Sequence, residues 1–93
     1  MLWARLGIAS HVSWRRVDQD LVLFDGRDGS YHALNAVASA IWRALDDGLE
    51  VEAITEALTV RYDAPAGEIA GQVQEFLASA LDKGLLTVRE GEP

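Results

Sequence analysis

The chain has no cysteine, so a disulfide framework and a thiolate metal site are both excluded. Its only histidines are His11 and His32, and neither sits in a spacing such as HxxxH or HExxH. There are two prolines, Pro65 and Pro93, so long stretches are free to form uninterrupted elements. No segment approaches the roughly 20 apolar residues of a membrane span. "MLWARLGIAS" is mildly apolar, but Arg5 breaks a run already too short for the core of a signal peptide. Positive charge is also scarce. Eight basic residues stand against fifteen acidic ones, a net charge of −7, which opposes binding to phosphate backbones and to anionic lipid. These absences describe a soluble, cytoplasmic protein with no membrane and no nucleic-acid partner.

With 93 residues, 49% of them apolar and 25% charged, the chain has the composition of one globular domain. At this size roughly 60–65% of the unfolded chain's surface is buried on folding, so there is little core to spare. Residues 1–10 read as an N-terminal arm in which Trp3, Leu6 and Ile8 pack on the domain or on a second copy. The domain is expected over 11–88, and "REGEP", residues 89–93, reads as a disordered tail.

From His11 the pattern has period two. "HVSWRRV" alternates Val12 and Trp14 with Ser13 and Arg15, as a half-buried strand does. "DQD" is a turn, and "LVLF", apolar on both faces, reads as the central strand. "DGRDG" holds two Asp-Gly pairs, a strong hairpin signal, and "SYHAL" is the third strand. At Asn35 the period changes. Its side chain can cap a helix whose inner face carries Val37, Ala38, Ile41, Trp42 and Leu45. A second helix runs from about Glu50 to Arg61, with Val51, Ile54 and Leu58 inward and Tyr62 closing it. Pro65 opens a third, with Ile69, Val73, Phe76, Leu77, Ala80 and Leu81 on one face and a stop at Lys83 and Gly84. Gly67 and Gly71 weaken its start. "LLTV" adds a short extended piece. The expected fold is α+β and winged-helix-like: a three-stranded antiparallel meander followed by three helices, β-β-β-α-α-α.

No constellation for catalysis is legible. Ser10, Ser13, Ser30, Ser39 and Ser79 lack a nucleophile-elbow context, and "GRDG" has neither the length nor the lysine of a phosphate-binding loop. The chain reads as a non-enzyme with no cofactor and no metal. A winged-helix DNA-binding regulator is the alternative reading, but the polar stripe of the third helix carries Glu68, Gln72, Glu75, Ser79 and Asp82, with only Lys83 basic. Carboxylates facing phosphates oppose the term that dominates such affinity. Arg15, Arg16 and Arg27 form at most a small patch on the hairpins, or simply solvated sheet ends.

Peptide binding fits better. The first strand carries Arg15 and Arg16, charges that blunt an edge against further pairing, whereas "SYHAL" has no Lys, Arg or Pro. An extended guest can add there as a fourth strand. Val73, Phe76 and Ala80 of the third helix would supply a groove floor, and Gln72, Glu75 and Ser79 a rim; with Val73 and Phe76 wholly buried, Gln72, Glu75 and Ser79 alone would line it. The competing reading is that this strand is covered by the third helix or paired across a two-fold axis in a homodimer, to which an exchanged N-terminal arm would also lead.

The ordered set "WRRVDQDLVLFDGRDGSYHALN", "AIWRAL", "ITEAL" with Tyr62, and "FLASALDKGLL" resembles the PqqD-like family, also called RiPP recognition elements. The resemblance runs from about His11 to Val88. Its most specific part is the combination of G-x-Y-x-x-L-N, the following "IW" and the closing "GLL". It implies a discrete, non-catalytic peptide chaperone that binds the leader of a ribosomally made precursor peptide and presents it to a modifying enzyme. That enzyme is a radical-SAM protein in pyrroloquinoline quinone (PQQ) biosynthesis and a leader protease in lasso-peptide pathways. Other pathways use cyclodehydratases or dehydratases. The resemblance places the leader as an antiparallel strand on Ser30, Tyr31, His32, Ala33 and Leu34, beside Gln72, Val73, Glu75, Phe76, Ser79 and Ala80. "YHALN" and "AIW" are common to many branches and do not choose among these pathways, and "MLWARLGIAS" falls outside the shared core.

Overall fold

A computed structural model describes residues 6–88. The elements are β1 (Leu6–Ile8), β2 (Val12–Val17), β3 (Asp20–Asp25), β4 (Ser30–Leu34), α1 (Ala36–Asp46), α2 (Val51–Tyr62), α3 (Ala66–Asp82) and β5 (Leu86–Val88). The expected meander is β2-β3-β4, antiparallel throughout with β3 in the centre. Its loops follow from their residues. Asp18 takes the positive φ, 61°, of the tight β2–β3 turn, and Gly29 does so, at 76°, before β4.

The sheet and three helices match the expected order, and a second, two-stranded sheet flanks it. Leu6–Ile8, read from the pattern as part of an arm, pairs antiparallel with Leu86–Val88, in the register Leu6↔Val88 and Ile8↔Leu86. The expectations for residues 1–5 and for the tail 89–93 lie outside the described residues.

Asn35 caps α1 as its chemistry suggests, its Oδ1 accepting from Ala38 N at 2.8 Å. Both α1 and α3 end in a glycine-closed double turn. Gly48 N donates to Leu45 O and Leu49 N to Ala44 O; at the end of α3, Gly84 N donates to Leu81 O and Leu85 N to Ala80 O. The core lies between the inner sheet face and the helices. Trp42 is fully buried at its centre, edge-on to half-buried Trp14 at 5.6 Å and to Phe76 at 6.5 Å. Leu23, Ile41, Ile54, Val73 and Leu77 complete the most enclosed layer.

Ser39 ties α1 to the sheet. It is wholly buried, its Oγ accepts from Leu21 N at 2.9 Å and donates to Leu34 O at 3.2 Å. It therefore satisfies one backbone group on β3 and another at the end of β4.

Candidate peptide-binding groove

Among the described residues β4 is an outer strand, paired with β3 along one side only. Beside it runs a groove between β4 and α3, floored by the start of α1. The groove has two adjoining hollows. One, of about 280 Å³, is lined by Asn35, Val37, Ala38, Ile41, Gln72, Glu75, Phe76 and Ser79. The other, of about 320 Å³, is lined by His32, Ala33, Leu34, Asn35, Ala38, Phe76, Ser79, Ala80, Lys83 and Leu85. Asn35, Ala38, Phe76 and Ser79 border both.

The sequence-derived residues separate into groups. His32, Ala33, Leu34, Gln72, Glu75, Phe76, Ser79 and Ala80 line the groove. Val73 is 0% exposed and lines neither hollow; it lies in the core one turn from Phe76. Ser30 is tied to the turn before it, where its Oγ donates to Asp28 Oδ1 at 2.7 Å and lies 3.2 Å from His32 Nε2. Tyr31 faces the other way. Strand alternation puts it with Ala33 on the outer sheet face, where it is 71% exposed. The sequence pattern marks Asn35, Val37, Ala38 and Ile41 only as the cap and inner face of a helix. Their groove role follows from α1 starting directly beneath the end of β4.

The mouth of the second hollow is fixed by a polar clamp that the sequence pattern did not reveal. Asp25, 2% exposed at the end of β3, accepts from Arg27 N at 2.9 Å, Nε at 3.2 Å and NH2 at 2.9 Å. The same guanidinium donates to Lys83 O at 2.9 Å, and His11 Nε2 donates to Gly84 O at 2.9 Å. The hairpin is thereby bolted to the end of α3. The hydrogen bonds from Arg27 hold the Asp25 carboxyl down at about 2, against burial that opposes them. The same bonds raise Arg27, and hydrogen bonds from Ser30 lower Asp28. The signal was the acid and arginine two residues apart in "DGR"; the partners on Lys83 and Gly84 are distant in sequence.

A larger hollow, about 600 Å³, opens on the opposite face of the sheet, lined by Ser13, Trp14, Arg15, Val17, Val22, Phe24 and Tyr31. "LVLF" is apolar on both faces, which marks it as the central strand. It is central, but its outer-face residues Val22 and Phe24 are only half-buried. Elsewhere the exposed polar side of α3 carries Glu68, Gln72, Glu75, Ser79 and Asp82, an acidic stripe unsuited to a DNA groove. Among the described residues no helix is long and apolar enough to cross a membrane.

An open-edged antiparallel meander with a groove between its outer strand and the last helix defines a small α+β, winged-helix-like domain. The model of the family of coenzyme PQQ synthesis protein D (PqqD) matches residues 20–86, well over half of the chain, and the chain belongs to that family. Two solved structures are similar to it throughout. TbiB1 in complex with the TbiA(beta) leader peptide is 28% identical, with a TM-score of 0.84 over 91% of this chain and 99% of that one. A lasso peptide synthetase B1 complexed with the leader peptide is 26% identical, with a TM-score of 0.83 over 90% and 99%. No curated protein matches the chain.

Proposed function

We propose that this protein is a non-catalytic leader-binding chaperone, which holds the leader of a ribosomally made precursor peptide and presents it to a modifying enzyme in the cytoplasm. The observation that carries the reading is the coincidence of an edge strand without blunting charges and an apolar-floored groove beside it, in a fold shared along nearly its whole length with two proteins solved with leader peptides. The leader adds antiparallel to Ser30–Leu34. Its inward side chains enter the two hollows that Phe76 borders, and Gln72, Glu75 and Ser79 form the polar rim. Val73 and Ser30 act indirectly, Val73 by backing Phe76 and Ser30 by fixing the start of β4. The domain that does this extends over 11–88, with β1 clasping its end through β5. A leader protease of a lasso-peptide pathway is the modifying enzyme favoured by the likeness to a lasso peptide synthetase B1; a radical-SAM protein is the counterpart suggested by the family's name.

The test is a fluorescence-anisotropy titration with the labelled leader of the precursor encoded nearest the gene, and a duplex DNA of equal charge as control. Saturable binding to the peptide alone is expected. Ala33→Pro removes a strand N–H and resists a partner on that edge, so with its circular dichroism retained it should bind at least about tenfold more weakly, the equivalent of one or two main-chain hydrogen bonds. Full affinity in that folded variant would refute strand addition, and binding to DNA alone would establish the winged-helix regulator instead.

A further inference from the structure

Peptides added to a sheet edge have two faces, and the groove accounts for one. By the pleat, guest residues opposite His32 and Leu34 point inward, whereas those opposite Tyr31 and Ala33 point to the outer face. That face is not bland. The register places Ser13, Phe24 and Tyr31 in one cross-strand row, and Arg15, Val22 and Ala33 in the next. Tyr31 lies against Phe24 with ring centroids 5.0 Å apart and planes tilted by 53°, yet it remains 71% exposed. An aromatic row two strands wide therefore ends at the open edge, next to where a guest side chain would stand about 5 Å away. In the adjoining row the small side chain of Ala33 leaves half-buried Val22 within reach of a long neighbour. The charged member of that row, Arg15, is on β2, two strands from the edge.

We propose that the outer sheet face is a second reading surface for the leader, with Tyr31 on its Phe24 support as an aromatic ledge. The ledge selects an aromatic guest residue opposite Tyr31, and a bulky aliphatic residue is favoured two positions away, opposite Ala33. The recognised segment is then apolar on both faces, with inward and outward anchors interleaved, unlike a strand that exposes a polar side. This inference rests on the strand-addition reading above.

The experiment selects a phage-displayed library of random dodecapeptides against the full chain, then measures synthetic winners by anisotropy in a double-mutant cycle. The cycle combines Tyr31→Ala with alanine at each alternate outward position of the peptide. Enrichment of Phe, Tyr or Trp at one outward position is expected, with a coupling of about three- to tenfold between that residue and Tyr31. Tyr31→Phe should keep the coupling, since the ring and not the hydroxyl makes the contact. The cycle uses Tyr31→Ala with its circular dichroism retained, or Tyr31→Thr, a strand former without a ring, where Tyr31→Ala loses its fold, so that an absence of coupling reports on the ledge alone. Inward selection with random outward positions, or effects that simply multiply, would overturn the ledge and leave strand addition standing. Winners insensitive to Ala33→Pro, or no enrichment at all, would overturn strand addition and the ledge with it.

Discussion

Asp25 shows how one side chain shapes the site from its margin. The carboxylate is buried, and three donors from Arg27 keep it ionised, with its pKa lowered from 3.8 to about 2. A carboxyl depressed in the folded state contributes stability that is fully present above its ordinary value and lost as pH falls through the lowered one. The fold should therefore lose stability between about pH 4 and pH 2 through this group, with Asp28, also lowered, adding in the same direction. Asp25→Asn should flatten that part of the pH–stability profile, measured by urea midpoints at successive pH values. An unchanged acid slope would show that the clamp carries no linkage. Composition made neither the burial of Asp25 nor its partners legible, since an Asp in "DGRDG" reads first as a turn residue. Asn35, by contrast, was fully legible, because a cap is a local device completed three residues away.

At the scale of elements, what was readable and what was not follows contact distance. The meander and the three helices rest on periods of two and 3.6 and on caps and turns within a few residues, and their boundaries agree with expectation to within about two residues. β1 has only three residues, one of them Gly7, and its partner starts at Leu86, so neither pattern nor neighbour announces it. The end of α3 joins both kinds of signal. Gly84 was expected as a helix stop, and it has φ 75°. The structure adds that a β-carbon there would meet Arg27 NH2 at 2.7 Å, so the stop is also the seat of the clamp. Gly84→Ala should lower stability by about 1–2 kcal/mol from the left-handed backbone alone. Its additional cost should be smaller in an Asp25→Asn background, where Arg27 is already released. Strict additivity in chemical denaturation would separate the two devices.

For the whole molecule, the balance of charge and exposed apolar surface decides the partner. A net charge of −7 and an acidic α3 stripe suit a neutral or basic peptide whose affinity comes from main-chain bonds and apolar anchors. Leader affinity should change by less than about threefold between roughly 50 and 200 mM salt, with any effect falling on the association rate; a loss of ~10³-fold would mark a phosphate-type partner. The groove was legible as an unprotected strand beside an amphipathic helix. Its α1 floor was not, and the sequence left the burial of Val73 open, because both depend on how tightly α3 closes on the core.

The most direct measurement is amide hydrogen exchange across β4, with and without the saturating leader. A guest strand must engage backbone groups on the open edge, so exchange within Ser30–Leu34 should slow on binding while β2, at the far side of the sheet, is unaffected. Tight binding that leaves every amide of β4 exchanging at its free rate would contradict strand addition at this edge.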